Sequence, residues 1–161
     1  MLIKCLGILT ILFITVYFAY EVTMMEKRKL RQAEGFMLFL RHVRAQISCF
    51  CTPLTDIFSG FSNEALEECG FLPAAREGDL CCAVSRSRGK IYLEEEEINM
   101  LSAFASQLGS GYRTEQLEIC DYYIGEFENL FNRVRDEHPK KAKLFRGVVL
   151  TGGLMLIVVL I

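Results

Sequence analysis

The last third of the chain, residues 114–161, constrains the fold more than any other stretch. From Leu117 to Val134 the apolar residues recur at alternating steps of three and four, which is the stripe of an amphipathic helix with one buried face. After the basic segment 138–146 the pattern changes, because 147–161 is apolar on every side. A helix that is apolar all round is typical of a membrane segment. The sequence therefore predicts a helix whose first part packs against a protein core and whose last part lies in lipid.

The predicted core is the buried face of this helix and of the helix before it. The earlier helix begins near residue 93 and ends at Leu108, where glycines supply the left-handed backbone that closes a helix. Large apolar side chains at helical spacing define both faces. The predicted core residues are Leu101, Phe104 and Leu108 on the earlier helix, and Leu117, Ile124, Phe127, Phe131 and Val134 on the last one.

The first residues form a second apolar segment, for which the sequence predicts a transmembrane helix over 1–21. A cleaved signal peptide is the alternative, but residues 17–20 place aromatic side chains where a cleavage site needs small ones. The basic segment 26–31 follows directly, and a second basic group, 140–146, precedes the apolar tail. Because positive charge favours the cytoplasmic side, we expect both termini on the opposite side of the cell membrane.

The expected architecture is all-α, with a cytoplasmic bundle of about four to six helices, residues 22–144, between two transmembrane helices, 1–21 and 145–161. The first helix continues from the membrane to a turn at Thr52, Pro53 and Leu54, in which proline occupies the first position of the next helix. A short helix is expected over 73–87. The tail spans only about 22 Å as a helix, which is short for a bilayer of about 30 Å. The four glutamates 94–97 are expected to be solvated acids of a helical first turn.

The residues that could perform chemistry are sparse, and no enzymatic activity, cofactor or metal site is predicted. Residues 32–139 carry 18 Asp and Glu against 9 Lys and Arg, so this acidic region is expected to repel nucleic acid. The seven cysteines lack the spacing of a zinc knuckle and suit reduced thiols. His42 and His138 are interpreted as surface or packing residues, because no nucleophile or base accompanies them.

One feature of the tail predicts helix packing within the membrane. Small residues let two helices approach closely in lipid. The face consists of Gly147, Thr151, Gly152 and Gly153. Its partner is either the Gly7 face of the first segment or another chain, and a homo-oligomer is one possibility.

The order of these segments resembles the stage III sporulation protein AB family over essentially the whole chain. The resemblance is carried by the Thr-Pro-Leu turn at 52–54, the segment Leu101-x-x-Phe-x-x-x-Leu-Gly109, Gln116 and the glycine-containing tail from Gly147. The family commonly has Ser-Asp after this Leu-Gly pair, whereas this chain has Ser-Gly at 110–111 and lacks the capping acid.

The resemblance implies a component of the secretion-like channel complex that links mother cell and forespore in endospore-forming bacteria. It also implies a cytoplasmic domain like those of type II secretion F-type platform proteins. By this analogy the protein lies in the mother-cell membrane and contacts the complex's cytoplasmic ATPase and other membrane subunits. The alternative from another class is a membrane-tethered regulator that uses its cysteines to respond to redox state or metal.

Overall fold

The computed structural model describes residues 2–50, 54–109 and 111–160, and its regular secondary structure is helical throughout these ranges, which confirms the predicted all-α class. Within these residues no helix is both long and apolar enough to cross a membrane. Seven α-helices and one 3-10 helix follow one another along the chain: α1 Leu2–Phe50, α2 Leu54–Ser59, α3 Glu64–Glu68, α4 Phe71–Arg76, α5 Leu80–Ser87, the 3-10 helix Arg88–Lys90, α6 Glu95–Gln107 and α7 Arg113–Leu160.

The described part of the chain contains more helices than the four to six that the sequence predicts for the bundle. The difference arises where short helices replace a longer one, since the segment 73–87 divides into α4 and α5. Gly78 separates them with a φ of 117°, a left-handed conformation that a helix cannot contain. Gly70 has a φ of 81° and separates α3 from α4 in the same way. The prediction of one helix over 73–87 is wrong because the left-handed Gly78 lies between α4 and α5.

The chain divides into two compact units, one formed by Arg28–Val134 and the other by Met1–Lys27 together with Arg135–Ile161. The first unit lies within the domain predicted over 22–144. It contains α2 to α6 and the adjoining parts of α1 and α7. The predicted turn residues Thr52 and Pro53 lie outside the described residues, and Leu54 is the first residue of α2.

Phenylalanine side chains form the centre of the Arg28–Val134 unit. The Phe36 ring packs edge-on against Phe71, with ring centroids 5.0 Å apart, and lies 6.4 Å from Phe127 on α7. Phe39, one turn further along α1, packs edge-on against Phe71 at 5.3 Å and lies 5.7 Å from Phe58 on α2. Offset and edge-on ring pairs add to the energy of simple burial. These contacts join the two long helices to the short ones.

Side-chain caps set the beginnings of the short helices. Asn63 accepts a hydrogen bond from the Leu66 backbone N–H at the start of α3, and Asp79 accepts one from Cys81 at the start of α5. The cap of α3 lies directly against α1 at Gly35, where an added Cβ would come within 2.8 Å of Asn63 Oδ1. Glycine at this position therefore lets the capped end of α3 approach α1.

The predicted core residues occupy two levels of burial. Five are buried: Leu101, Phe104, Leu108, Phe127 and Val134. The remaining three are half-buried: Leu117, Ile124 and Phe131. Ile124 and Phe131 pack against the edge of the core.

Replacing Phe127 by Ala should lower the free energy of unfolding by about 3–5 kcal/mol, because the ring is fully buried and its loss leaves a cavity. The matched variant Phe131→Ala removes the same atoms from a half-buried position, so its effect should be clearly smaller. Chemical denaturation of the full chain in detergent, followed by helical circular dichroism, measures both values. Equal losses for the two variants would contradict this placement of the core boundary.

Candidate functional site

Histidines and potential metal ligands are the first candidates for a functional site. No group of three or more His, Cys, Asp or Glu side chains among them is placed to hold a metal ion. His42 has a structural environment, since its Nε2 lies 3.2 Å from the Ile57 carbonyl oxygen and its ring packs 5.2 Å from that of Phe61. The side chain of His138 lies outside the described residues. The described residues also provide a cleft and exposed surfaces, which are the candidate functional features.

The basic segment of α1, predicted as a membrane flank, contacts the folded unit directly. The Lys29 ammonium lies 2.7 Å from a carboxylate oxygen of Glu94, and the Arg31 guanidinium lies at the same distance from Glu64. Arg28 donates a hydrogen bond to the Tyr92 hydroxyl at 2.9 Å. These cations thus attach the first turns of the unit to α3 and to the segment before α6. The sequence predicts only that this basic segment flanks a membrane.

Beside these contacts lies a cleft of about 350 Å³ that belongs wholly to the Arg28–Val134 unit. Its walls come from α1, α3 and the segment that follows α5. We call it the basic cleft, because three of its nine lining residues are cationic and only one is anionic. The lining residues are Arg28, Arg31, Gln32, Glu68, Lys90 and Tyr92, with Ala65, Cys69 and Gly89 between them.

Gln32 holds the two walls of the basic cleft together. Its side chain is buried, with 4% of its surface exposed. The amide nitrogen donates to the Lys90 carbonyl oxygen at 3.0 Å, and the amide oxygen accepts from the Tyr92 N–H at 2.7 Å. The Gln32 amide thereby pairs a backbone acceptor 58 residues away in the sequence and a backbone donor 60 residues away.

Replacing Gln32 by Leu keeps the size of the side chain but leaves these two backbone groups without their partner. We expect a loss of about 1–3 kcal/mol in the free energy of unfolding, since a partly buried polar group loses its hydrogen bond. Glu34→Leu is the control, because Glu34 is exposed on the same helix. If the Gln32→Leu variant were as stable as this control in chemical denaturation, the two hydrogen bonds of the Gln32 amide would not stabilise the fold.

A second polar side chain, Gln116, closes the corner between α6 and α7. It is buried, and its Oε1 accepts from the Gly109 N–H at 2.7 Å, while its Nε2 donates to the Gln107 carbonyl at 3.3 Å. At the same corner, Glu115 accepts a hydrogen bond from the Tyr112 N–H at 3.1 Å. The sequence pointed to Gln116 but gave no indication of this bonding.

Ion pairs join α7 to α1 and α6 within the unit. Arg44 pairs with Asp121, and the hydrogen bond from Arg44 holds the pKa of that carboxyl below its usual value. Arg133 reaches Glu97, whose second oxygen accepts from the Glu94 N–H at 2.6 Å. Only 3% of the Glu97 side chain is exposed. The expectation that glutamates 94–97 are all solvated is therefore wrong for Glu97.

Arg113, the first residue of α7, caps the end of α1. Its Nε donates to the Ile47 carbonyl at 3.0 Å, and a terminal nitrogen donates to the Ser48 carbonyl. The last turn of α1 has no basic residue of its own. A cation from a distant part of the sequence thus satisfies carbonyls that the helix leaves unpaired.

The other unit presents apolar side chains on its helical surface. Phe13 is 73% exposed, and large apolar residues on the following turns of α1 and along the end of α7 are exposed in the same way: Ile14, Val16, Tyr17, Phe18, Leu144, Val148 and Met155. The predicted packing residues Gly147, Thr151 and Gly152 are exposed, and Gly153 lies in α7 with its surroundings undescribed. A Cβ added at Gly147 or Gly152 would meet no described atom within 4 Å.

Three of the thiols have environments that suppress reactivity. Burial raises the pKa of Cys69, and burial together with the negative charge of Asp121 raises the pKa of Cys120 to about 11. A hydrogen bond to Asp79 raises the pKa of the exposed Cys82. Because the thiolate is the nucleophile, these shifts disfavour redox or covalent chemistry at the three positions.

Alkylation kinetics test this description. At pH 8 the thiolate fraction of Cys120 should be about two orders of magnitude below that of an ordinary thiol, and its burial slows the reagent further. Iodoacetamide should therefore modify the exposed Cys49 before Cys120 in the native full chain, as followed by peptide mass spectrometry. Cys120 should react only after denaturant is added. Comparable native rates at the two positions would contradict the structure.

Comparison with known proteins identifies a family that the chain matches. A family model described as stage III sporulation protein AB matches residues 4–161. Nothing matches the chain among curated proteins or among solved structures.

Proposed function

The chain belongs to the stage III sporulation protein AB family, and we propose that it acts as a non-enzymatic scaffold of the secretion-like channel complex between mother cell and forespore. Family membership supports a role in stage III of sporulation. Support for the scaffold part of the proposal comes from the exposed apolar side chains along the first part of α1 and the last part of α7, which are available for contact with lipid or other subunits.

We place the scaffold in the mother-cell membrane, with residues 1–21 and 145–161 inserted in lipid and the intervening domain in the cytoplasm. The support comes from sequence and exposure together. Residues 5–20 are uncharged, and the large apolar side chains among residues 13–20 are exposed. Large exposed apolar surface is unfavourable in water and stable in lipid.

The observation that carries the assembly role is the small-residue face of α7. Gly147, Thr151 and Gly152 are exposed, and the Thr151 hydroxyl is turned onto its own helix, where it donates to the Gly147 carbonyl at 2.8 Å. An internally satisfied hydroxyl between two glycines leaves a flat, apolar face that suits a second helix in lipid. The partners we propose are other membrane subunits of the complex or a second copy of the chain. Contact of the cytoplasmic domain with the complex's ATPase rests on the family alone.

The regulator alternative receives no support from the thiols. Cys69, Cys82 and Cys120 have raised pKa values, and the described cysteines are free and not clustered for metal binding. The scaffold proposal is therefore the one we develop.

Replacing Gly152 by Leu should abolish assembly while leaving the chain folded, because the new side chain occupies the face that a partner helix needs. The substitution is sterically free within the described chain. Crosslinking in sporulating cells, followed by mass spectrometry of the attached proteins, measures assembly. We expect channel subunits to be crosslinked to the wild type and lost in the variant.

Met155→Leu is the control for this experiment, since it changes an exposed apolar residue of the same segment at nearly constant volume. Its crosslinks should match those of the wild type. If Gly152→Leu retained the full set of crosslinks, or if the wild type captured no channel subunit, the scaffold proposal would be wrong.

A further inference from the structure

The basic cleft gathers positive charge in a unit that is otherwise acidic. Residues 28–134 contain 16 Asp and Glu side chains against 11 Lys and Arg. Most of the cations form ion pairs with nearby carboxylates, as Arg44 does with Asp121. The lining of the basic cleft contains three cations, Arg28, Arg31 and Lys90, and one carboxylate, Glu68, while the partner of Arg31, Glu64, lies outside the lining. The lining itself therefore has more cationic than anionic side chains, although the unit as a whole is acidic.

Lys90 is the lining cation best placed to bind a ligand. It is exposed, and within the described part of the chain its ammonium forms no ion pair or hydrogen bond. Its positive charge also acts on the Cys69 thiol in the cleft wall, where it partly opposes the larger effect of burial on the pKa of that thiol. Arg31 contributes as well, since its pairing with Glu64 uses one nitrogen of a guanidinium that has five N–H donors.

Hydrogen bonds within the fold hold the backbone that carries Lys90 and Tyr92. The Lys90 carbonyl and the Tyr92 N–H are both bonded to the buried Gln32 amide, and the Tyr92 hydroxyl accepts from Arg28. Small residues, Ala65 and Gly89, leave the space between the walls open. Two cations that line one cleft, one of them on a backbone held by a hydrogen bond to Gln32, form an arrangement that suits a tetrahedral oxyanion.

We propose that the basic cleft binds a phosphate-bearing anion, with Lys90 as the principal contact and Arg31 as a supporting one. The phosphate can come from the headgroup of an anionic phospholipid or from a soluble phosphate compound. The lipid source rests on the membrane placement proposed above, whereas the anion site itself does not. Arg28 begins the unit directly after the segment 2–27, so a lipid headgroup is the source that chain connectivity favours.

Binding to the purified full chain in detergent micelles tests the site, with phosphatidylglycerol as the anionic probe and phosphatidylcholine as the zwitterionic one. Native mass spectrometry gives the bound fraction of each lipid. Lys90→Gln should weaken phosphatidylglycerol binding by about tenfold or more, because it removes one charge-assisted contact. Lys90→Arg should retain binding. Lys27→Gln is the matched control, since it removes the same charge from a residue outside the cleft lining, and should change affinity by no more than about twofold.

A second arm separates the two sources of phosphate. Inorganic phosphate and glycerol phosphate are titrated into the same preparations, and their ability to displace phosphatidylglycerol is measured. Lys90-dependent lipid binding that resists displacement identifies the headgroup, whereas Lys90-dependent binding of the soluble probes without lipid preference identifies a soluble ligand. The proposal is overturned if neither probe depends on Lys90, or if Lys27→Gln weakens binding as much as Lys90→Gln. Membrane retention of the chain is unaffected by either result, so failure here leaves the scaffold proposal standing.

Discussion

The packing of Phe36 between Phe71 and Phe127 is the contact on which the Arg28–Val134 unit depends. Helices α2 to α5 have only five to eight residues each, and helices of this length are unstable alone in water. They therefore need a preformed surface, which the long helices α1 and α7 supply. Phe36 lies on α1, Phe71 begins α4 and Phe127 lies on α7, so this one ring joins the short helices to both long ones.

Polar contacts add specificity to this apolar centre. The exposed pair of Arg44 with Asp121 contributes little energy, as surface ion pairs usually do, but it favours one register of α7 against α1. Glu97 is different, because a nearly buried carboxylate must keep its partners or become strongly unfavourable. Its bonds to Arg133 and to the Glu94 N–H therefore fix α6 against α7 more firmly than the exposed pair can.

The spacing of apolar residues predicted helices and buried positions. It did not predict features that depend on residues far apart in the sequence. Helical spacing gave the all-α class, the position of α6 and the buried residues Phe104 and Phe127. It missed the break at Gly78, because a glycine's φ is set by how the flanking helices pack and not by local pattern. The hydrogen bonds of Gln32 and Gln116 could not be predicted either. A glutamine in a helical sequence is usually interpreted as a surface residue, because the pattern does not show its distant backbone partners. The same holds for the basic segment of α1, whose partners lie more than 30 residues away.

These contacts stabilise the Arg28–Val134 unit of the proposed scaffold. The chain continues from this unit into the two apolar segments, 1–21 and 145–161. The central claim is that those segments hold the protein in a membrane. Extraction of sporulating-cell membranes with alkaline carbonate tests it most directly, because this treatment releases proteins held by charge and retains those inserted in lipid. The account predicts that the full-length chain stays with the membrane pellet and is released only by detergent. Recovery of the intact chain in the carbonate supernatant would contradict it.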